Sequence, residues 1–249
     1  MKTIIKHNTL NYTIDLSNPL DISIPIKGGS SNVNSWYLDP PKIEPHTEGE
    51  FVGKVSEGGS TNFNDIYFNP HSHGTHTECV GHITEEFRSV NNCLSKFFFM
   101  TEVITIAPEK MGDDFVISKK QLQYALGNKN REAVVIRTLP NLSEKKSRQY
   151  SNSNPPYMLE DAAIHLREKG ISHLLIDLPS VDKEKDDGLL LAHKAFWDYN
   201  GKVRHDATIT ELIFVANSIA DGKYFLNLQP APFENDASPS RPVLYKIEE

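Results

Sequence analysis

Residues 133–177 place the strictest limit on the fold. Ala133-Val134-Val135-Ile136-Arg137 is a continuous apolar run of the kind that forms a strand buried on both faces. Leu159, Ala162, Ala163 and Leu166 then recur at helical spacing, with Gly170 as the stop. Leu174-Leu175-Ile176-Asp177 reads as the next buried strand. Strand, helix and strand in this order specify an α/β layer.

The rest of the chain is read as filling out the same unit. Tyr12–Asp15 and Asp21–Ile26 alternate apolar with polar residues, as half-buried strands do. A polar loop follows from Gly28 to about Gly49, and it carries two aromatic residues, Trp36 and Tyr37. Trp36 either docks on the core or lines a pocket for a substrate ring. Phe51–Val55 and Ile66–Phe68 read as short strands around the turn Gly58-Gly59-Ser60. Met100–Ala107 is a β-branched strand, and Ser118 with Gln121 forms a capping box for a helix ending at Gly127. Tyr224–Leu228 and Val243–Ile247 are closing strands. The expectation is one mixed α/β domain over residues 1–249.

Bulk properties narrow the function classes. A net charge of −7 argues against nucleic acid or an anionic membrane as the main partner. No window is apolar over the roughly 18 residues that a membrane span needs. Met1–Asn8 lacks the apolar run of a signal peptide, so the expected location is the cytoplasm, with Cys79 and Cys93 as free thiols.

The chemistry concentrates in Asn69-Pro70-His71-Ser72-His73-Gly74-Thr75-His76-Thr77-Glu78-Cys79-Val80-Gly81-His82, which holds four of the ten histidines. Imidazole and carboxylate are ligand types for zinc, manganese and iron. In an extended segment His76 and Glu78 project to one face, because side chains alternate with a period of two. His82 shares that parity but is six residues on, within reach only if the chain bends at Gly81. Gly74 leaves room for backbone to approach an ion or substrate.

Two distant residues have matching character. His193 follows Leu189-Leu190-Leu191-Ala192, and Glu211 sits inside Ile209-Thr210-Glu211-Leu212-Ile213-Phe214-Val215. A lone histidine in such a place is more often a hydrogen-bonded core residue, and a buried glutamate is rarely left unpaired. A metal would satisfy both.

The sequence resembles the metal-dependent cyclase-like hydrolases that include bacterial kynurenine formamidase and isatin hydrolase. Their signature reads His-x-Gly-Thr-His-x-Asp-x-Pro-x-His, and Gly74, Thr75, His76 and His82 fall in register with it. Glu78 replaces the aspartate and Val80 the proline, and Ser72 occupies the slot of the first histidine, between His71 and His73. Either a one-residue insertion moves that role to His71, or His73 performs it, or the ligand is lost. Asp177-Leu178-Pro179-Ser180-Val181-Asp182 and Asp236-Ala237-Ser238-Pro239-Ser240-Arg241 match two later segments of the family.

The resemblance implies the cyclase/kynurenine formamidase fold, a swivelling β/α/β-like domain. It also implies one or two divalent ions per subunit, zinc or manganese, held by His76, Glu78, His193, Glu211 and His71 or His73. His82 would move protons, and Trp36 would stack on an aryl substrate. The implied activity is that of an amidohydrolase on an amide or lactam C–N bond, arylformamidase-like, turning N-formylkynurenine into kynurenine and formate in tryptophan catabolism. The implied assembly is a homodimer or homotetramer. Two alternatives stand beside it: cyclase or lactone-type chemistry on the same site, and a non-catalytic metal or ligand binder with a degenerate site.

Overall fold

The apolar runs become the middle of the sheet. Ala133–Thr138 is buried along its whole length at the centre of a mixed sheet of eleven strands. It pairs in parallel with Phe98–Ile106 on one side and His173–Ile176 on the other, and His173–Ile176 pairs in parallel with Thr208–Glu211. Antiparallel strands flank this parallel core. Gly222–Asn227, Val243–Glu248, Leu10–Asp15 and Lys2–His7 extend it on one side. His76–Cys79 and then Ala237–Pro239 extend it on the other. The computed structural model describes residues 1–248 and has the mixed α/β architecture that the buried runs specify. Among the described residues, no helix is long and apolar enough to cross a membrane.

Both faces of the central strands are covered, which is why those strands lack polar alternation. Val134, Ile136, Leu174 and Ile176 pack against Leu122, Leu166, Phe196 and Trp197, from the helices Lys119–Leu126, Glu160–Glu168 and Leu191–Trp197. Val135, Leu175 and Val103 turn to the other face and meet Ile22, Ile213, Leu226 and Leu244. The capping box at Ser118 and Gln121 forms as read, and Gly127 ends the helix at φ 48°.

Three local expectations change. Of the Asp21–Ile26 stretch only Asp21 joins a ladder, as the end of the two-residue strand Leu20–Asp21. Ile22 and Ile24 instead bond singly to Pro242, Phe214 and Thr75, so the segment is extended and buried without a continuous strand partner. The stretch from Gly28 to Gly49 is not all loop, because Lys42–Pro45 pairs with Asn64–Tyr67 and Thr47–Glu48 with Phe51–Val52. Gly74 makes room for protein rather than ligand: a Cβ there would lie 2.8 Å from Ile26 Cγ1 and 3.1 Å from Ile24 O.

The sheet brings distant residues to one end. Glu211 ends the last parallel strand, and the antiparallel register sets it opposite His76, with Ile209 opposite Glu78. Ligand sites in open α/β sheets lie at the carboxyl ends of the parallel strands, and this end is such a place.

His173 lies at the other end of the sheet, at the start of its strand, buried, with Nδ1 2.9 Å from Thr208 Oγ1. Burial pushes its pKa down to about 4. The folded protein therefore holds this ring neutral while the unfolded chain protonates it near pH 6.5. The stabilisation is complete above pH 6.5 and falls as pH drops from there to about 4, by up to about 3 kcal/mol. Urea unfolding across that range should show a shallower acid loss in His173→Gln than in the wild type; equal slopes would contradict it.

Candidate metal centre

Strand alternation aims His76 and Glu78 at the same side of the sheet edge, and both are fully buried. The His76 Nδ1–H donates to Gly74 O at 3.0 Å, which leaves the Nε2 lone pair facing inward. That Nε2 is 3.5 Å from Glu211 Oε2. Glu211 Oε1 accepts the Val181 N–H at 2.8 Å and lies 3.8 Å from His193 Nε2.

Glu78 is at the centre. Its Oε1 is 3.0 Å from His193 Nε2, and its Oε2 is 3.1 Å from His71 Nδ1 and 3.9 Å from His82 Nε2. His193 enters on the helix Leu191–Trp197 and is steered from behind by Asp182. Asp182 Oδ2 lies 2.5 Å from His193 Nδ1, and its two oxygens accept the backbone N–H groups of Ala192 and His193. A carboxylate on one ring nitrogen fixes the tautomer and directs the other nitrogen forward.

The three readings of the shifted first histidine now separate. Ser72, in the family's slot, turns away and bonds with Asn34 and Ser35. His73 also turns away: its Nδ1 accepts the Asn69 N–H at 2.9 Å, and it belongs to no cluster of potential metal-binding groups among the described residues. His71 reaches the centre from the short helix Pro70–His73. His82, carried past the bend at Gly81, comes beside it, with the two rings 4.3 Å apart. His71, His76, Glu78, His82, His193 and Glu211 are thus together, and His73 is apart.

Trp36 borders the same place. With Leu38, Asn69, Ser180, Leu190 and several of the histidines it lines a cavity of ≈ 440 Å³. Its indole N–H donates to His71 O at 3.2 Å. Sequence reasoning gave no role to Asp182 or Asp236, although both lie in segments that carried the resemblance. A carboxylate behind a candidate histidine is the signal, and it is visible only once the chain is folded.

The electrostatics follow from these contacts. Burial opposes charge on His71, but its contacts with Asp236 and Glu78 prevail and push its pKa up to about 10. Burial of His193 is likewise overcome by Asp182 and Glu78, which raise it well above the ordinary histidine value. Burial would raise the Glu78 pKa, but His82, His193 and His71 hold it well below the carboxylate range.

The donor set fits a divalent cation. His76 Nε2 is buried without a hydrogen-bond partner, a costly condition in a dry interior, and Glu78 Oε2 is buried with only the His71 and His82 rings beside it. Ligand atoms of His71, His76 and Glu78 lie within 4.8 Å of one another, as do those of Glu78, His82 and His193. A cation satisfies imidazole and carboxylate lone pairs together.

Comparison with known proteins gives the same direction. A family model described as "Putative cyclase" matches residues 14–183. A kynurenine formamidase of Bacillus cereus is 33% identical over 132 residues, 53% of this chain and 57% of that protein, so the match spans little more than half of the relative's length. A solved structure described as a potential metal-dependent hydrolase with cyclase activity superposes with a TM-score of 0.66 at 18% identity, covering 93% of this chain and 99% of the other. Isatin hydrolase A from Labrenzia aggregata, bound to benzyl benzoate, gives 0.67 at 14% identity, covering 93% and 94%. At these identities the structural likeness carries the fold.

Because Glu78 is the common partner of the buried rings, its neutral isostere should unbalance the whole cluster. In metal-free protein Glu78→Gln is expected to cost about 3 kcal/mol in urea unfolding, as removal of one member of a buried ionic group does. A cost under about 1 kcal/mol would show that the rings do not depend on this charge.

Proposed function

The chain belongs to the cyclase family, and on that footing we propose that it is a divalent-metal-dependent hydrolase of an amide or lactam C–N bond carrying an aryl group. The observation that carries this reading is the shared carboxylate. Glu78 faces His71 with one oxygen and His193 with the other, so two ligand sets meet at one residue. His71, His76 and Glu78 would hold one ion, and Glu78 and His193 a second, with Glu211, 3.8 Å from the His193 ring, as a further donor; zinc and manganese are the metals that suit such groups.

A divalent ion held there would supply water activated at neutral pH and a Lewis acid for the scissile carbonyl. The chain's own residues do the rest. His82 is the half-buried ring at the rim, at 30% side-chain exposure, and so can exchange protons with a bound substrate and with solvent. Its Nε2 takes the proton from the attacking water and returns it to the leaving nitrogen. Asp182 and Gly74 O fix the tautomers of His193 and His76, so both present Nε2 inward. Trp36, Leu38 and Leu190 offer the apolar wall that receives an aryl ring. N-formylkynurenine, the substrate implied by the kynurenine formamidase relative, has both an aryl ring and a formamide. Glu78, one methylene longer than the family's aspartate, works with a first histidine displaced by one position, which favours a related aryl amide as an equal candidate.

Metal analysis by plasma mass spectrometry on protein purified without chelator is the direct test. The wild type should hold one or two equivalents of zinc or manganese and hydrolyse formanilides or isatin-type lactams. His76→Ala and Glu211→Ala should each lose metal and at least about 100-fold in kcat/KM, and His82→Ala should keep the metal and lose a similar factor in kcat. A wild type that stays empty after incubation with either metal would sink the reading. Product analysis separates ring opening from ring closure.

Proton release gives an independent check. With its pKa at about 10, His71 is charged at pH 7 in metal-free protein and must give up a proton to ligate. Zinc affinity should therefore rise with pH below 10, roughly tenfold per unit for each proton released. Calorimetry in buffers of different ionisation enthalpy would count those protons, and a count of zero would contradict the ligand assignment.

A further inference from the structure

Asp236 stands just before the edge strand Ala237–Pro239, whose register sets Ala237 opposite Glu78. Its backbone oxygen accepts the Cys79 N–H at 3.0 Å, so the main chain is anchored to the strand that carries the centre. Its side chain faces two rings at once. Oδ2 lies 2.9 Å from His71 Nε2 and 3.2 Å from His82 Nδ1. The opposite nitrogen of each ring faces Glu78: His71 Nδ1 at 3.1 Å and His82 Nε2 at 3.9 Å from Oε2.

An ionised carboxylate only accepts hydrogen bonds, so each nitrogen that faces Asp236 must carry a hydrogen. For a neutral ring this settles the tautomer. His71 with hydrogen on Nε2 has its lone pair on Nδ1, aimed at the centre. His82 with hydrogen on Nδ1 has its lone pair on Nε2, also aimed at the centre. We propose that Asp236 is the positioning residue that assigns these two tautomers together, making His71 a ligand through Nδ1 and His82 a base through Nε2. The inference rests on the metal-hydrolase reading and adds to it the residue that divides the roles of two adjacent histidines.

The geometry explains why one carboxylate is needed for both. The rings are 4.3 Å apart and inclined by 31°, and a neutral imidazole can carry its hydrogen on either nitrogen. With its hydrogen on Nε2, the nitrogen nearer Glu78, His82 could not act there as a base. With the hydrogen of His71 on Nδ1, the Nε2 lone pair would face Asp236 and repel it. A single oxygen between them makes both wrong arrangements unfavourable.

The test uses full-length protein loaded with zinc, which is diamagnetic, and labelled with ¹⁵N-histidine. Long-range ¹H–¹⁵N correlation distinguishes protonated from unprotonated ring nitrogens, and His82→Ala assigns the His82 signals. In the wild type His82 should be protonated at Nδ1 and bare at Nε2. Asp236→Ala should move His82 to the Nε2–H form and weaken zinc binding about 10- to 100-fold, as loss of a partner behind a ligand does. Asp236→Asn, which keeps a neutral oxygen acceptor, should retain the wild-type tautomer and recover most of the affinity. A role limited to folding would leave the tautomer unchanged. The proposal is overturned if wild-type His82 is bare at Nδ1, a reading that needs no variant. It is also overturned if Asp236→Ala leaves both tautomer and zinc affinity within twofold of the wild type. Failure of the hydrolase reading has a different signature: wild-type protein with these tautomers and bound zinc that turns over neither formanilide nor lactam.

Discussion

A fully buried carboxylate organises this protein. Glu78 has lost its water, and desolvation alone would drive it to the neutral acid. It stays charged because imidazole rings approach both of its oxygens. His193 is buried too and His71 is half-buried, and each is held by a second carboxylate, Asp182 behind His193 and Asp236 behind His71. The centre is therefore a chain of alternating charges in which every member is acceptable only with its neighbours present. A structure of that kind stores little net stability in its ion pairs. Its value is that it holds lone pairs in fixed directions, ready for a cation.

The supports of this chain reach into the sheet. Asp177 follows the strand His173–Ile176 and accepts the Thr138 N–H on both oxygens, while the buried Lys145 ammonium donates to Asp177 Oδ2 at 2.7 Å. That network fixes where the next loop begins. The loop then delivers the Val181 N–H to Glu211 and the Asp182 carboxylate to His193. A short run of residues thus carries the rigidity of the parallel strands to two separate members of the centre.

Backbone strain collects around the same site. Trp36, Tyr37, Leu190 and Leu212, none of them glycine, have φ between 49° and 60°. Each such residue costs of order 1–3 kcal/mol and persists only where its surroundings hold it. The Trp36–Tyr37 pair is held by Ser151 on the Tyr37 N–H, by Glu184 on the Tyr37 hydroxyl and by His71 O on the indole. This links the apolar wall of the cavity to the backbone of a candidate ligand.

The parts of this protein legible in the chain alone are those whose signal is local. Unbroken apolar runs at Ala133–Ile136 and Leu174–Ile176 specified strands covered on both faces, and period-two spacing put His76 and Glu78 on one side. The apolar settings of His193 and Glu211 marked them as needing a partner. Local pattern was less informative wherever a backbone bond or a side-chain direction depended on distant chain. Ile22 and Ile24 alternate like a strand, yet they bond singly to segments far away. His71 and His73 are equivalent in composition and spacing, and only the helical turn Pro70–His73, closed by the Asn69 cap, sends one to the centre and the other away. Asp182 and Asp236 lay in segments that resembled the family, but nothing local told their role, because a carboxylate acquires it from the ring that folding sets before it. Folding in three dimensions settled these cases for one physical reason: hydrogen bonds and charge pairs act over a few ångströms in space, whatever the separation along the chain.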